Sequence, residues 1–380
     1  MIDSLIVKFA TPCNIACTYC YEYANGDTTW KTKPKQISAD VASHISNRIK
    51  EYCLSHKIST INLVAHGGEP LLLGAKKLDD IFGLIREISA PIEINFSLQT
   101  NGLLLDEEIC AVLATHKVLV GISLDGNINH NSKRVDHQGH ETYTRTIRGI
   151  KILQSNELCR FAGILSVVNI ENDPIEVIDS ICALRPPVID FLQPFLTHDS
   201  VGVNRVEIAQ KFGEWMVRAM HHWISNPQYA KIKIRVFDDA LKSTISRKPT
   251  SDWFGPRKLS YIVIETDGNY DVLDQLKSAG ANSKTLRYID RNVFNCSLTE
   301  ANTLAKQHLS IFFGANLPTD CLDCEWSDVC AGGHLPARYS SAKGFNNKSV
   351  YCEGIKMLLT DADKTIREYV SREVDNKQVI

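Results

Sequence analysis

The sequence lacks an excess of charge of either sign: 42 Lys and Arg stand against 44 Asp and Glu, a formal charge of −2. A global basic field for nucleic acid or an anionic membrane surface is thereby excluded, and any electrostatic steering is local. Long apolar runs are missing too. The opening segment MIDSLIVKFATPCN meets Pro and polar positions after a few apolar residues, too soon for a signal h-region or a membrane span, so a cytoplasmic protein is expected. No tandem repeat or low-complexity tract is evident. With 44% hydrophobic and 23% charged residues the composition is that of a folded globule, which excludes disorder as the main state. At 380 residues the chain exceeds a minimal domain, and one large domain plus a smaller one is expected.

Cysteine is abundant: there are 12. A chain of this size in a reducing compartment has little use for a disulfide framework, so metal or redox chemistry becomes the leading reading.

Through the first two thirds of the chain, short β-branched runs alternate with helical patterns, the signal for parallel strands joined by crossover helices. Strands are expected at Ser4 to Phe9, Ile61 to Ala65, Ile92 to Leu98, Val118 to Leu124, Phe161 to Val168 and Val188 to Gln193. Helices are expected over Ser38 to Cys53, Ala75 to Ile88, Glu107 to Ala114, Tyr143 to Gln154 and Pro174 to Leu184. About six β/α units are too few for a closed eight-unit barrel, so the expected fold is α/β, a partial (β/α)6 barrel with its site at the carboxyl ends of the strands. A helical stretch, Arg205 to Ser225, ends the regular alternation, and the expected division is 1–225 and 226–380. In the second part a hairpin is expected around Ile262 to Val272, turning at Asp267-Gly268-Asn269.

Cys13, Cys17 and Cys20 form C-x3-C-x2-C directly after the first expected strand. Structural zinc takes four closed ligands, whereas a [4Fe–4S] cube held by three cysteines leaves one iron open to a further ligand. With Tyr19 as the aromatic before the last cysteine, this run resembles the signature of the radical SAM superfamily. The resemblance implies a reduced cluster that donates an electron to S-adenosylmethionine, with an electron donor such as flavodoxin or ferredoxin as partner. His66-Gly67-Gly68-Glu69-Pro70 looks like the family's GGE motif, which implies that Gly67, Gly68 and Glu69 approach the methionine amino group. Gln99-Thr100-Asn101-Gly102 and Ser123-Leu124-Asp125-Gly126 end the third and fourth expected strands. By the same resemblance Asn101 lines the cofactor site, Ser123 touches the SAM ribose and Arg134 its carboxylate.

A second group, Cys321-x2-Cys324-x5-Cys330 with Cys352 later, could close a zinc site or a second cube, and ligand count does not separate them. It resembles the SPASM extension of radical SAM peptide-modifying enzymes. His334 stands where that family usually has a cysteine, and Leu273 where it carries an upstream one. One auxiliary [4Fe–4S] cluster on Cys321, Cys324, Cys330 and Cys352 is therefore expected. Cys53, Cys110, Cys159 and Cys182 read as small buried hydrophobes. Asp274, beside Leu273, is the expected catalytic base. The tail from Gly332-Gly333-His334 to Ser349-Val350-Tyr351-Cys352 resembles FxsB-type maturases. That implies a precursor-peptide substrate and a cyclophane crosslink between a Cβ and an aromatic ring. Two other readings are formylglycine formation of the sulfatase-maturase kind and, from a different class, a non-catalytic zinc-binding interaction module.

Overall fold

A computed structural model describes residues 1–251, 253–254, 260–313 and 317–378. The chain packs as two compact units, Met1–Ser166 with Leu259–Phe312, and Val167–Lys258 with Phe313–Ile380. Residue 225 ends a helix inside the second unit.

The first unit is built on β1 (Ser4–Ala10), β2 (Thr60–Gly67), β3 (Glu93–Thr100), β4 (Leu119–Ser123) and β5 (Arg160–Val167). Each follows its predecessor in parallel, as expected. The crossovers are α1 (Ala39–Ser55), α2 (Ala75–Ser89), α3 (Glu107–Thr115) and α4 (Tyr143–Ser155). Their starts follow local chemistry. Ser38 caps α1 by accepting from Val41 N at 3.1 Å, and Asp106 caps α3 by accepting from Ile109 N at 2.8 Å. The last four residues of β1, Val7 to Ala10, are all buried, as a strand covered on both faces requires.

The expected hairpin is present as β8 (Tyr261–Ile264) and β9 (Asn269–Asp271), turning at Gly268 with φ +82°. Its partner differs from a free-standing hairpin. β8 also pairs in parallel with β1, Ser4–Val7 against Tyr261–Ile264, so the order in this unit is β10-β9-β8-β1-β2-β3-β4-β5, with β10 at Tyr288–Asn292. The YIVI run is too short for periodicity to reveal this pairing. Its consequence is functional, because residues after β9 arrive at the carboxyl end of β1.

In the second unit β6 (Val188–Leu192) pairs in parallel with β7 (Lys233–Ile234), a strand of two residues that the sequence pattern had no power to show. The helices Arg205–Ser225 and Cys352–Gln378 cross here at two glycines. A Cβ on Gly354 would lie 2.4 Å from the Ala209 carbonyl oxygen, and one on Gly213 would lie 2.7 Å from Gly354 Cα. This close approach fixes the start of the second helix, whose first residue is Cys352. Gly354→Ala should force the helices apart and cost on the order of 1–3 kcal/mol, measured as a lowered anaerobic denaturation midpoint. An unchanged midpoint would show that the helices separate freely.

Candidate active site

Cys13, Cys17 and Cys20 are free, partly exposed thiols in the loop after β1. Backbone bonds hold this loop on two sides. Ala16 N donates to Val135 O at 2.7 Å and Thr18 N to Lys133 O at 3.0 Å, while Gly68 N donates to Ala10 O at 2.9 Å and Glu69 N to Pro12 O at 3.0 Å. Burial pushes Cys13 up to about 12 and Cys20 up to about 11, and raises Cys17 against the opposing Arg134 charge. Such thiols ionise when a cationic centre takes them as ligands.

The motif residues gather around the loop, with some roles revised. A Cβ on Gly67 would lie 2.1 Å from Ala10 O and one on Gly68 2.3 Å from Pro12 O. Both glycines therefore admit the protein's own β1 loop, a reason the sequence did not disclose. The buried Glu69 is fully engaged within the chain: Oε1 accepts from Thr100 Oγ1 at 2.7 Å and Leu71 N at 3.0 Å, and Oε2 from Asn101 N at 2.8 Å. It braces the ends of β2 and β3. Asn101 Nδ2 donates to Asn14 Oδ1 at 2.7 Å, beside Cys13, and Ser123 Oγ accepts from Gln99 Nε2 at 2.8 Å. Tyr19 is more than an aromatic spacer: its hydroxyl donates to Asp125 at 2.5 Å and accepts from Arg134 at 2.8 Å. Arg134 is buried and its Nε has no hydrogen-bond partner. An orphaned guanidinium N–H on a side chain that acts on Cys17 fits an anionic group of a bound cofactor.

Asp274 reaches this site, but not alone. Lys8, on β1 and 1% exposed, donates to Asp274 Oδ2 at 2.7 Å and to Glu22 Oε2 at 3.3 Å, with His66 Nδ1 at 3.2 Å. Tyr21 also donates to Asp274 Oδ2, at 2.9 Å. Lys277 pairs with Glu22 and, at 3.1 Å, with Glu265. Burial by itself would raise the Asp274 pKa, but the charges of Lys8 and Lys277 outweigh it and hold the carboxyl well below its usual range. The sequence reading missed Lys8, Tyr21, Glu22, His66 and Lys277. One signal was available: Lys8 is a lone charge inside the apolar run SLIVKFA.

In the second unit Cys321, Cys324, Cys330 and Cys352 line one pocket together with Gly332. Burial pushes Cys330 up to about 12. Among the described residues no three His, Cys, Asp or Glu side chains converge on a single-ion position. Four thiols sharing one pocket are the donor set of a [4Fe–4S] cube and equally of a closed zinc site. Cys296 lies elsewhere, buried in the first unit. Of the cysteines expected to be buried, Cys53, Cys110 and Cys182 are, whereas Cys159 is partly exposed, with Sγ 3.4 Å from Cys110 O.

A family model described as the radical SAM superfamily matches residues 7–180. Residues 7–180 therefore form a radical SAM domain, and the protein is an enzyme. Among curated proteins it is 25% identical over 372 residues to a cysteine-type anaerobic sulfatase-maturating enzyme of Clostridium perfringens, covering 93% of this chain and 94% of that one. It is 26% identical over 372 residues to a serine-type anaerobic sulfatase-maturating enzyme of Klebsiella aerogenes, covering 96% and 86%. Its fold matches the solved structure of native anSMEcpe with bound AdoMet at TM-score 0.81 and 23% identity, covering 97% and 99%. The fold expectation, α/β with a radical SAM domain and a SPASM-like extension, is met. The cyclophane expectation is corrected, because the curated relatives that span the chain are sulfatase-maturating enzymes. The radical SAM domain and the enzyme relatives likewise displace the non-catalytic zinc module. The cofactors of the superfamily are S-adenosylmethionine and a [4Fe–4S] cluster. No helix among the described residues is long and apolar enough to cross a membrane.

The network around Lys8 has a pH signature. Burial, reinforced by the Lys8 ammonium, lowers His66 to about 4, whereas the unfolded imidazole titrates near ~6.5. Between those values the unfolded chain binds a proton that the folded chain refuses. This part of the stability is present in full above about pH 6.5 and is lost as pH falls toward 4. Asp274, Glu22, Lys277 and Lys8 are the charges acting on the ring. His66→Gln should lose less stability than the native protein between pH 7 and pH 5 in anaerobic denaturant titrations at each pH. Equal losses would remove His66 from the effect.

Proposed function

We propose that this enzyme oxidises the Cβ of a cysteine or serine residue in a polypeptide to formylglycine, in the cytoplasm, with an electron donor such as flavodoxin or ferredoxin as partner. The observation that carries this reading is agreement along almost the whole chain with both the cysteine-type and the serine-type maturating enzymes. Structures of anSMEcpe with bound AdoMet and an 18Cys peptide add support for a peptide partner.

In this reading Cys13, Cys17 and Cys20 hold the SAM-binding cluster, and Cys321, Cys324, Cys330 and Cys352 an auxiliary electron-transfer cluster. The radical chemistry is assigned to the unit Met1–Ser166 with Leu259–Phe312, in which Asp274 lies, and the auxiliary centre to the unit Val167–Lys258 with Phe313–Ile380. Bound together, the first cluster and SAM supply hydrogen-atom abstraction. The chain's own residues orient and protect that chemistry. Arg134, its unpartnered Nε available, takes the SAM carboxylate, and Tyr19 and Asp125 hold the guanidinium in place. Ser123 and Asn101 line the ribose and methionine sides. Glu69 acts at one remove, keeping the backbone of Gly67, Gly68 and Asn101 in register.

The substrate gives up one Cβ hydrogen atom, one proton from its thiol or hydroxyl and one electron, leaving a C=S or C=O group; the thioaldehyde then takes water and releases sulfide. Asp274 accepts the proton. A carboxylate held so firmly ionised by Lys8 is a weak base toward an ordinary thiol. Loss of the neighbouring hydrogen atom makes the S–H or O–H far more acidic, and a weak base then suffices.

Reconstituted enzyme, incubated anaerobically with SAM, a reductant and peptides bearing a central Cys or Ser, should yield 5′-deoxyadenosine together with an aldehyde captured by a hydrazide probe. Deoxyadenosine formation with a dehydrogenated peptide that the hydrazide does not label would overturn this assignment.

A further inference from the structure

Among the described residues, three buried cations sit in ion pairs. Lys8, Lys277 and Arg287 each face at least one buried carboxylate. Arg338 does not. It is 6% exposed, and its Nε and Nη2 donate only to the carbonyl oxygen of Phe345, at 3.1 and 2.8 Å. A carbonyl supplies a dipole and no counter-charge, so a bare guanidinium here would be strongly unfavourable. The side chain packs behind one residue of the thiol pocket: a Cβ on Gly332, which lines that pocket, would lie 3.4 Å from Arg338 Cδ. The groups that oppose the effect of burial on Arg338 are the sulfurs of Cys321 and Cys330, which become anionic when they ligate a cluster. Burial pulls its guanidinium below the usual arginine range and these two sulfurs oppose that pull. Arg338 in turn lowers Cys321 against burial.

We propose that Arg338 is the buried counter-charge of the C-terminal cluster on Cys321, Cys324, Cys330 and Cys352, acting beside the partly exposed Lys348 and Lys356 and raising the cluster's reduction potential. The inference rests on the reading that these cysteines hold a [4Fe–4S] cluster. A cluster with four thiolates is anionic and becomes more so on reduction. A fixed positive charge beside it therefore favours the reduced form and raises the potential, while burial works in the opposite direction. The guanidinium is anchored for this role by Phe345 O, and the segment between is closed by Asn347 Nδ2 donating to Arg338 O at 2.9 Å. Arg338 positions charge and does not touch the substrate.

The test uses the full chain carrying Cys13→Ala, Cys17→Ala and Cys20→Ala, so that only the C-terminal cluster remains, reconstituted anaerobically. Iron analysis comes first, and potentiometric titration followed by electron paramagnetic resonance second. About four irons per chain are expected from one cube. Adding Arg338→Gln should shift the reduced-to-oxidised ratio at fixed potential by about tenfold toward the oxidised form, which for one electron is about 59 mV downward. Arg338→Lys, which keeps the charge, should stay near the parent. Loss of iron in Arg338→Gln with retention in Arg338→Lys would support the same role through assembly. A Gln variant with full iron and an unmoved potential would overturn the proposal, as would equal loss of iron in both variants, which would mark Arg338 as a loop anchor alone. Only trace iron in the parent would instead overturn the cluster reading itself, and the proposal with it.

Discussion

One ammonium group, that of Lys8, organises the first unit's reactive end. It sits in the middle of a buried strand, where an unpaired charge would be strongly destabilising, and it is made tolerable by Asp274, Glu22 and His66 around it. Those partners come from three separate places: the loop that carries the N-terminal cysteines, the end of β2 before the double glycine, and the segment after β9. Satisfying one buried charge therefore draws together the elements from which the site is made. The Lys8 charge holds the Asp274 carboxyl ionised, while burial, reinforced by that charge, lowers the His66 imidazole.

The two cysteine sites repeat a common arrangement. Each combines thiols on a tight loop with a buried guanidinium, Arg134 beside Cys17 and Arg338 beside Cys321 and Cys330. Anionic metal centres in a low-dielectric interior need positive charge close by, and arginine supplies it without losing its proton. Glycine supplies the complementary condition, close packing. Gly67 and Gly68 let the first loop lie against β2, and Gly354 lets the helix that begins at Cys352 lie against its neighbour.

Much of this was legible from residue patterns. The five parallel strands of the first unit and their crossover helices were visible because long β-branched runs and helical periods alternate cleanly. The two cysteine groups were visible because their spacing is distinctive. β7 and the pairing of β8 with β1 were not visible, since runs of two and four residues carry no period. The bracing role of Glu69 was not visible because a carboxylate in a motif shows its chemistry but not its partners, and here those include the chain's own Thr100, Asn101 and Leu71. Tyr19 was noted for its ring when its hydroxyl is what bonds Arg134. The product was misassigned because the tail around His334 was weighed above the likeness of the chain as a whole. Local motifs near the C-terminal thiols report how a cluster is held, not what the enzyme does to a peptide.

The central claim is that three thiols after β1 carry the centre from which the radical chemistry starts. The most direct measurement compares 5′-deoxyadenosine formation by the reconstituted native enzyme and by Cys17→Ala, each with SAM and a strong reductant under anaerobic conditions. The account predicts that the variant falls to the background of enzyme-free controls. Undiminished deoxyadenosine from Cys17→Ala would contradict it.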